Sequence, residues 1–223
     1  MKIRELHDWD LTPAKAKELQ LKLREKLIFT PYKVSAKLAV GADCGYDLTT
    51  MRATAGLVVY AVPSLKEVER VWAVSDMNFP YVPGLLSFRE APALLAAFRK
   101  LKSEPDAAFF DAHGIAHPRG FGLACHMGLW LGIPTIGVAK SVLIGTHRTP
   151  ASGFGSTAPL LHQGEQIGTA FRAGECRRPV YVSPGHLIDM KSAMRLTRAV
   201  CDGQRVPKPT READRYVREL MRS

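Results

Sequence analysis

The chain has 223 residues, 46% of them apolar and 23% charged, which suits a globular protein with a buried core and excludes a disordered chain. Its 31 Lys and Arg exceed its 21 Asp and Glu, and the net charge of +10 favours an anionic partner such as nucleic acid. The first residues lack the apolar core of a signal peptide, and no apolar run is long enough to span a bilayer. We therefore expect a cytoplasmic protein without membrane contacts.

The four cysteines are spread along the chain without a C-x-x-C pair. This spacing indicates neither a zinc ribbon nor a disulfide framework. Cys44, Cys125, Cys176 and Cys201 are therefore predicted to be reduced.

The first predicted element is an amphipathic helix, which Thr12 and Pro13 begin as N-cap and first-turn proline. Apolar residues then recur at helical spacing, with basic residues between them. We interpret the basic side as a solvated surface, and contact with a phosphate backbone is the alternative. The apolar positions are Ala16, Leu19, Leu23 and Leu27, and the basic ones are Lys15, Lys17, Lys22, Arg24 and Lys26.

Three strands are predicted next, at residues 38–43, 56–61 and 68–74. Short turns join them, which favours an antiparallel meander. The first strand ends in a carboxylate, Asp43.

A stiff loop follows, in which Pro80 and Pro83 restrict the backbone around Tyr81. Proteins that part a nucleic-acid stack use a rigid apolar or aromatic wedge, and this loop has the composition for one. The alternative is a tight turn with Tyr81 packed on the core.

Residues 86–101 are predicted to form a helix that carries Glu90 near its start. Ser87 and Glu90 match the capping box S-x-x-E, in which the glutamate serves its own helix terminus. If the helix begins nearer Gly84, Glu90 is instead free to face a metal ion.

The apolar run at residues 107–111 is predicted to be a buried strand that presents Asp111 at its tip, before a loop rich in glycine, histidine and arginine. A helix at 121–131 and a strand at 133–139 follow, the latter ending at Lys140. Right-handed crossovers make these strands parallel to the first, so Asp43, Asp111 and Lys140 should meet at one sheet edge. Such a site suits a metal ion that handles phosphate, although Asp111 could also be a solvated turn residue.

The remaining chain contains strand-like pieces at 158–162, 166–171 and 180–183. A helix is predicted at 189–201, and a last helix after Pro209 and Thr210 carries Asp214 in its first turns.

Several motifs together resemble the endonuclease V family, and the resemblance runs nearly from end to end. It implies one domain over residues 1–223 with an α/β, ribonuclease H-like mixed sheet, in which three antiparallel strands precede parallel strands and helices flank the sheet. The motifs lie at residues 79–90, 111–119, 126–128, 133–140, 185–186 and 209–211.

The resemblance implies a DNA repair endonuclease that recognises deoxyinosine and cuts the second phosphodiester bond on its 3′ side with Mg²⁺, or Mn²⁺ in its place. By the family pattern Asp43 and Asp111 are the principal metal ligands, with Glu90 beside them. Asp214 completes the acidic cluster, and Lys140 lies near the scissile phosphate. The expected products are a 3′-hydroxyl and a 5′-phosphate, and the expected oligomeric state is a monomer.

The family pattern also implies a pocket for the flipped base, with Tyr81 filling the gap that the base leaves. The backbone around Gly84, Leu86, Ala112 and Gly114 would read the O6 and N1–H groups that distinguish hypoxanthine from adenine. Ala112 stands where many relatives have glycine, which could narrow the pocket. The expected substrate-binding set is Tyr81, Pro80, Pro83, Gly84, Leu86, Ala112, Gly114, His117 and Arg119.

Two alternatives remain open at this point. The same chemistry could act on inosine-containing RNA, or on mismatched or branched DNA. A non-catalytic nucleic-acid-binding module would use the basic surface alone, with Glu90 as a cap and Asp43 as a turn residue.

Overall fold

The computed structural model describes residues 3–33, 35–175 and 178–222, which form five helices and eight strands. In chain order they are α1 (Pro13–Arg24), β1 (Leu38–Asp47), β2 (Arg52–Ala61), β3 (Glu67–Asp76), α2 (Leu86–Phe98), β4 (Ala107–Phe110), α3 (Leu123–Leu131), β5 (Thr135–Ala139), β6 (Thr157–His162), β7 (Glu165–Phe171), β8 (Val180–His186), α4 (Met190–Ala199) and α5 (Lys208–Leu220). The strands of these described residues make one sheet in the order β3-β2-β1-β4-β5-β8-β7-β6.

The first half of the sheet has the predicted topology. β1, β2 and β3 pair antiparallel, and β4 and β5 then continue parallel to β1. In the β1–β4 register Ala42 faces Phe110, and the Asp111 N–H donates to the Ala42 carbonyl at 3.4 Å. Asp43 follows Ala42 and Asp111 follows Phe110, so the two aspartates lie side by side, as expected from the crossover rule.

The second half of the sheet is antiparallel. β8 pairs antiparallel with β5, and β7 and β6 extend the sheet as further antiparallel strands. The mixed sheet therefore does not end in parallel strands, and the strand predicted at 180–183 continues to His186. Val180 and Val182 of β8 share a buried cluster with Val138 of β5, which is the packing that holds the added strands.

Two apolar cores cover the sheet, one on each face. Phe109 and Phe110 of β4 belong to different cores, as the alternation of side chains along a strand requires. Phe110 packs in the core that contains α2 and α3, whereas Phe109 packs in the core that contains Ala193 and Leu196 of α4. Complete burial of β4 on both faces explains its continuous apolar run.

Helix α5 packs directly on β1 and β2. Gly41 of β1 makes this approach possible, since a Cβ atom there would lie 1.9 Å from the Pro209 carbonyl oxygen. The close contact brings the first turns of α5, with Asp214, to the same end of the sheet as Asp43.

The ends of the helices confirm one expectation and correct several others. The side chain of Thr12 caps α1 as predicted and accepts from the Lys15 N–H at 3.3 Å. The N-cap of α2 is Leu85 without a side-chain hydrogen bond, so the capping-box interpretation of Ser87 and Glu90 is wrong. α2 ends at Phe98 rather than 101, α3 begins at Leu123 rather than 121, and α5 already begins at Lys208.

Cys44, Cys125 and Cys201 are free thiols, and Cys176 lies outside the described residues. Among the described helices, none is both long and apolar enough to cross a membrane.

Candidate active site

The residues predicted to be catalytic come from five elements that meet at one end of the sheet. Asp43 lies within β1, which continues to Asp47, so the prediction that this strand ends at Asp43 is wrong. Asp111 and Lys140 directly follow β4 and β5, Glu90 lies in α2, and Asp214 lies in α5. The structure therefore brings together side chains that are as much as 171 residues apart in the chain, Asp43 and Asp214.

Asp43 has the most strongly perturbed carboxyl of the cluster. Burial raises its pKa to about 8, and the negative charges of Asp111, Glu90 and Asp214 add to the effect. Burial also raises the pKa of Asp111, although contact with Lys140 opposes this shift. Mutual perturbation of this kind marks carboxylates that need a cation or a proton between them.

The ammonium group of Lys140 lies between two of these carboxylates. It contacts the Asp111 carboxylate directly, and its Nζ atom is 3.3 Å from Oδ2 of Asp214. Burial lowers the pKa of Lys140, but the contact with Asp111 outweighs this effect and holds that pKa above its ordinary value. On α5, Arg218 also donates to both oxygens of Asp214, at 3.0 and 2.8 Å.

Glu90 is buried one turn into α2 and accepts a short hydrogen bond from the Tyr46 hydroxyl. Burial raises its pKa to about 7. The Arg89 guanidinium lies 4.7 Å from the centre of the Tyr46 ring, which packs this tyrosine in place. Sequence reasoning did not identify Tyr46, because nothing in β1 distinguishes it from other strand aromatics.

The donor set fits a hard divalent cation, since carboxylate oxygens are the ligands that Mg²⁺ and Mn²⁺ prefer. Within residues 3–33, 35–175 and 178–222, however, no three His, Cys, Asp or Glu side chains stand in metal-holding geometry. Two observed contacts account for this arrangement: Lys140 occupies the space between Asp111 and Asp214, and Glu90 is turned to Tyr46.

A cavity of about 280 Å³ adjoins the carboxylates, slightly below the usual range for small-molecule sites. Ala112, the residue after Asp111, is part of its wall, and six of the nine predicted substrate-binding residues line it. Pro80, Gly114 and Arg119 do not. The full lining is Gln20, Tyr81, Val82, Pro83, Gly84, Leu86, Ser87, Ala112, His113, His117, Gly122, Leu123, Ser141 and Leu143.

Tyr81 stands at the rim of this cavity with 72% of its surface exposed. The alternative in which Tyr81 packs on the core is therefore wrong. The guanidinium carbon of Arg89 lies 5.9 Å from the centre of the Tyr81 ring. The exposed, proline-bracketed ring is free to contact a ligand.

The loop after Asp111 is held tightly against β8. A Cβ atom on Gly114 would lie 2.1 Å from the Pro184 carbonyl oxygen, so only glycine fits there. The Gly114 N–H donates to the Ser183 hydroxyl at 2.8 Å. Gly114 thus supports the loop from behind the cavity instead of forming its surface.

His117 and Arg119 direct their side chains to the protein's own backbone. Nε2 of His117 donates to the Gly84 carbonyl at 2.9 Å, while Nδ1 accepts from the Arg119 N–H at 3.2 Å. Burial lowers the pKa of His117 to about 4, so the ring is neutral near pH 7. Nη2 of Arg119 also donates to the Gly84 carbonyl, at 2.6 Å. Their predicted contacts with substrate stay predictions.

Sequence reasoning missed several residues of the cavity wall, among them Gln20, His113, Ser141 and Leu143. One of them carried a usable signal. Gln20 lies between Ala16 and Leu23 at helical spacing, so it is a polar residue on the buried side of α1.

Comparison with known proteins agrees with this site. The endonuclease V family model matches residues 21–215. The endonuclease V of Myxococcus xanthus is 46% identical over 98% of this chain and 94% of the relative. That of Gloeobacter violaceus is 42% identical over 95% of this chain and 87% of the relative.

Solved structures give the same result. Endonuclease V from Streptomyces avermitilis superposes with a TM-score of 0.92 at 37% identity, covering 100% of this chain and 98% of that one. Endonuclease V from Ciona intestinalis, solved with a 24mer DNA containing an inosine followed by a ribo-adenosine, superposes with a TM-score of 0.83 at 25% identity, covering 94% and 97%.

The fold and these matches define an α/β endonuclease. The chain belongs to the endonuclease V family, because the family model spans most of its length and the relatives exceed 40% identity over nearly all of it.

Proposed function

We propose that this endonuclease recognises deoxyinosine in DNA and hydrolyses the second phosphodiester bond on the 3′ side of the lesion. Other deaminated bases belong to the same substrate class. The observation that carries the proposal is the position of Ala112, which lines the cavity and directly follows Asp111 of the carboxylate cluster. One loop thus joins a base-sized cavity to a group of carboxylates suited to phosphodiester cleavage.

The cavity suits a flipped base, because an enzyme that acts at one altered nucleotide reads it most directly outside the stack. Leu86, Leu123 and Leu143 supply apolar walls for a planar ring. The exposed Tyr81 at the rim would occupy the gap in the duplex. The Gly84 carbonyl is already engaged, because it accepts hydrogen bonds from His117 and Arg119. Backbone groups next to it, rather than this carbonyl, would therefore read the base edge.

Asp43, Asp111 and Glu90 are the residues that would hold Mg²⁺ or Mn²⁺, with Asp214 beside them. When bound, the cation supplies charge neutralisation at a phosphate oxygen and lowers the pKa of a coordinated water. The raised pKa of Asp43 supports a cation requirement, since it reflects burial and the negative charges of Asp111, Glu90 and Asp214, which a bound cation would offset.

In the hydrolysis a water oxygen bonds to phosphorus, the bond from phosphorus to the 3′ oxygen breaks, and the departing oxygen takes a proton. The products are a 3′-hydroxyl and a 5′-phosphate. Lys140, with its Nζ atom between Asp111 and Asp214, is the side chain that would donate to a phosphate oxygen of the substrate. A monomer in the cytoplasm is the state in which we expect this activity.

The test uses purified protein, Mg²⁺ and a duplex with one deoxyinosine. A single cut at the second phosphodiester bond on the 3′ side is expected. A duplex with adenine at the same position should be cut far more slowly, and a reaction with EDTA should give no product.

Parallel reactions with inosine-containing RNA and with mismatched or branched duplexes test the alternative substrates. Cleavage of the RNA alone would reassign the substrate class. Binding without cleavage in every reaction would support the non-catalytic alternative.

A further inference from the structure

Gln20 is a polar side chain that is almost completely buried, with 1% of its surface exposed. Its Nε2 atom donates to two backbone carbonyls, that of Gly84 at 3.1 Å and that of Phe121 at 3.0 Å. Its Oε1 atom accepts from Nε of Arg119 at 2.5 Å. One side chain of α1 therefore ties together the loop that carries Tyr81 and the loop that follows Asp111.

The Gly84 carbonyl is the centre of this network. Gln20, His117 and Arg119 all donate to it, from α1 and from the loop between β4 and α3. Gly84 has a φ of +78°, a backbone conformation that favours glycine. The chain therefore turns sharply here, and three donors fix the direction of its carbonyl.

The network is closely matched to the chemistry of a glutamine. An amide offers two donors and an acceptor, and here all three are used. An apolar replacement would leave two carbonyls and a guanidinium N–H without this partner, and a carboxylate would set an acceptor against two carbonyl oxygens. Neither replacement can make the contacts of Gln20 to both loops, so the bonds from His117 and Arg119 to the Gly84 carbonyl would be left to join them.

Residues of both loops line the cavity beside the carboxylates. Val82, Pro83 and Gly84 belong to one loop, and Ala112 and Gly122 belong to the other. Their spacing decides whether a planar base fits, and whether the bond to be cut reaches Asp111. Misplacement of a reacting group by about 1 Å can cost 100-fold in rate.

We propose that Gln20 is a positioning residue that sets the spacing of these two loops and thereby the selectivity for the altered base. This inference rests on the proposed function, since it assigns the cavity to the base. Gln20 acts through the backbone of the two loops and through Arg119, not through the phosphodiester.

Two variants test the inference. Gln20→Leu keeps the approximate volume and removes all three hydrogen bonds, while Gln20→Glu keeps the acceptor for Arg119 and removes the donors. Glu18→Leu, at an exposed position of the same helix, is the matched control. The measurements are hydrogen exchange of residues 79–86 and 112–122, and kcat and KM on deoxyinosine and undamaged duplexes.

Both Gln20 variants should exchange faster in the two segments, and the ratio of kcat/KM on deoxyinosine to that on undamaged duplex should fall by roughly 10- to 100-fold. Glu18→Leu should match the wild type. Equal losses on both duplexes would overturn the inference, as would unchanged selectivity in a folded variant. If Gln20→Leu does not fold, Gln20→Glu decides.

Failure of the proposed function would look different. The wild type itself would then show no preference for deoxyinosine. In that case the hydrogen-exchange result still decides whether Gln20 holds the two loops: unchanged exchange in both segments would overturn the positioning role.

Discussion

Each carboxylate of the cluster has surroundings of its own. Asp43 is buried among like charges, Asp111 shares Lys140 with Asp214, and Glu90 is held by Tyr46. Sequence alone singled out these acids as candidates, because an apolar run that ends in a carboxylate is visible locally. It placed Asp43 at the end of a strand, whereas the structure places it inside β1. The sequence did not reveal the partners of these acids, which come from elements far away in the chain.

Asp111→Asn should abolish cleavage and leave binding of inosine-containing DNA intact. The substitution removes one negative oxygen from the cluster but keeps the shape of the side chain. Cleavage and binding of the same duplex measure the two effects. Asp76→Asn, at an exposed position of β3, should leave both cleavage and binding unchanged. Wild-type turnover by Asp111→Asn would contradict the metal-ligand assignment.

Tyr81→Ala should weaken binding of a deoxyinosine duplex by about 1–3 kcal/mol, because a ring stacked on a base contributes that much. Binding of Mg²⁺ should not change, since Tyr81 is at the cavity rim. Tyr81→Phe keeps the ring and should retain most of the affinity. Equal losses on damaged and undamaged DNA would argue against a wedge.

Without metal, the Asp43 carboxyl should contribute a loss of stability as pH rises from about 4 to about 8. Folded Asp43 keeps its proton to about pH 8, whereas the unfolded chain releases it near pH 3.8, so the folded state binds more protons across this window. In EDTA, the free energy of unfolding of the wild type should therefore fall relative to that of Asp43→Asn as pH rises across this window. Asp76→Asn, at an exposed position of β3, should follow the wild type.

Among the secondary-structure elements, β1 and α5 show most clearly how packing builds the site. β1 delivers Asp43, and the Gly41 contact with Pro209 lets α5 bring Asp214 to it. The strands and helices were largely predictable from their apolar periodicity. The distance between β1 and α5 was not, because it depends on a steric fit between residues 168 positions apart, Gly41 and Pro209.

Gly41→Ala should destabilise the protein by about 1–3 kcal/mol and reduce cleavage, because the added methyl group would push α5 away from β1. Thermal unfolding and the deoxyinosine assay measure the two effects. Gly164→Ala is the control: its φ of +84° also strains an alanine, but it lies in the β6–β7 turn with nothing within 4 Å of the new Cβ atom. Loss of cleavage in both variants would show that destabilisation alone explains the effect.

For the whole molecule, the positive net charge and the acidic cluster have opposite signs. The charge of +10 attracts a polyanion to the surface, while the cluster would repel phosphate without a cation. A cation held by the cluster as proposed would therefore affect both stability and substrate binding.

Mg²⁺ should therefore raise the melting temperature. At a concentration 100 times its Kd, a ligand of the folded state adds about 2.7 kcal/mol, which for a chain of this size is roughly 5–10 °C. EDTA should reverse the shift, and the Asp43→Asn, Asp111→Asn double variant should lack it. An equal rise in that variant would place the cation elsewhere.

The amino-acid sequence by itself determined the order of strands and helices, the meander, the parallel β1–β4 pair and the neighbouring positions of Asp43 and Asp111. These follow from local periodicity and from the handedness of crossovers. Tertiary contacts decided the antiparallel β8, β7 and β6, the partners of the carboxylates and the Gln20 network. The physical reason is that hydrogen-bond partners far apart in the chain leave no local pattern. A polar residue at a buried helix position shows that hydrogen-bond partners are required, but only the tertiary structure identifies them.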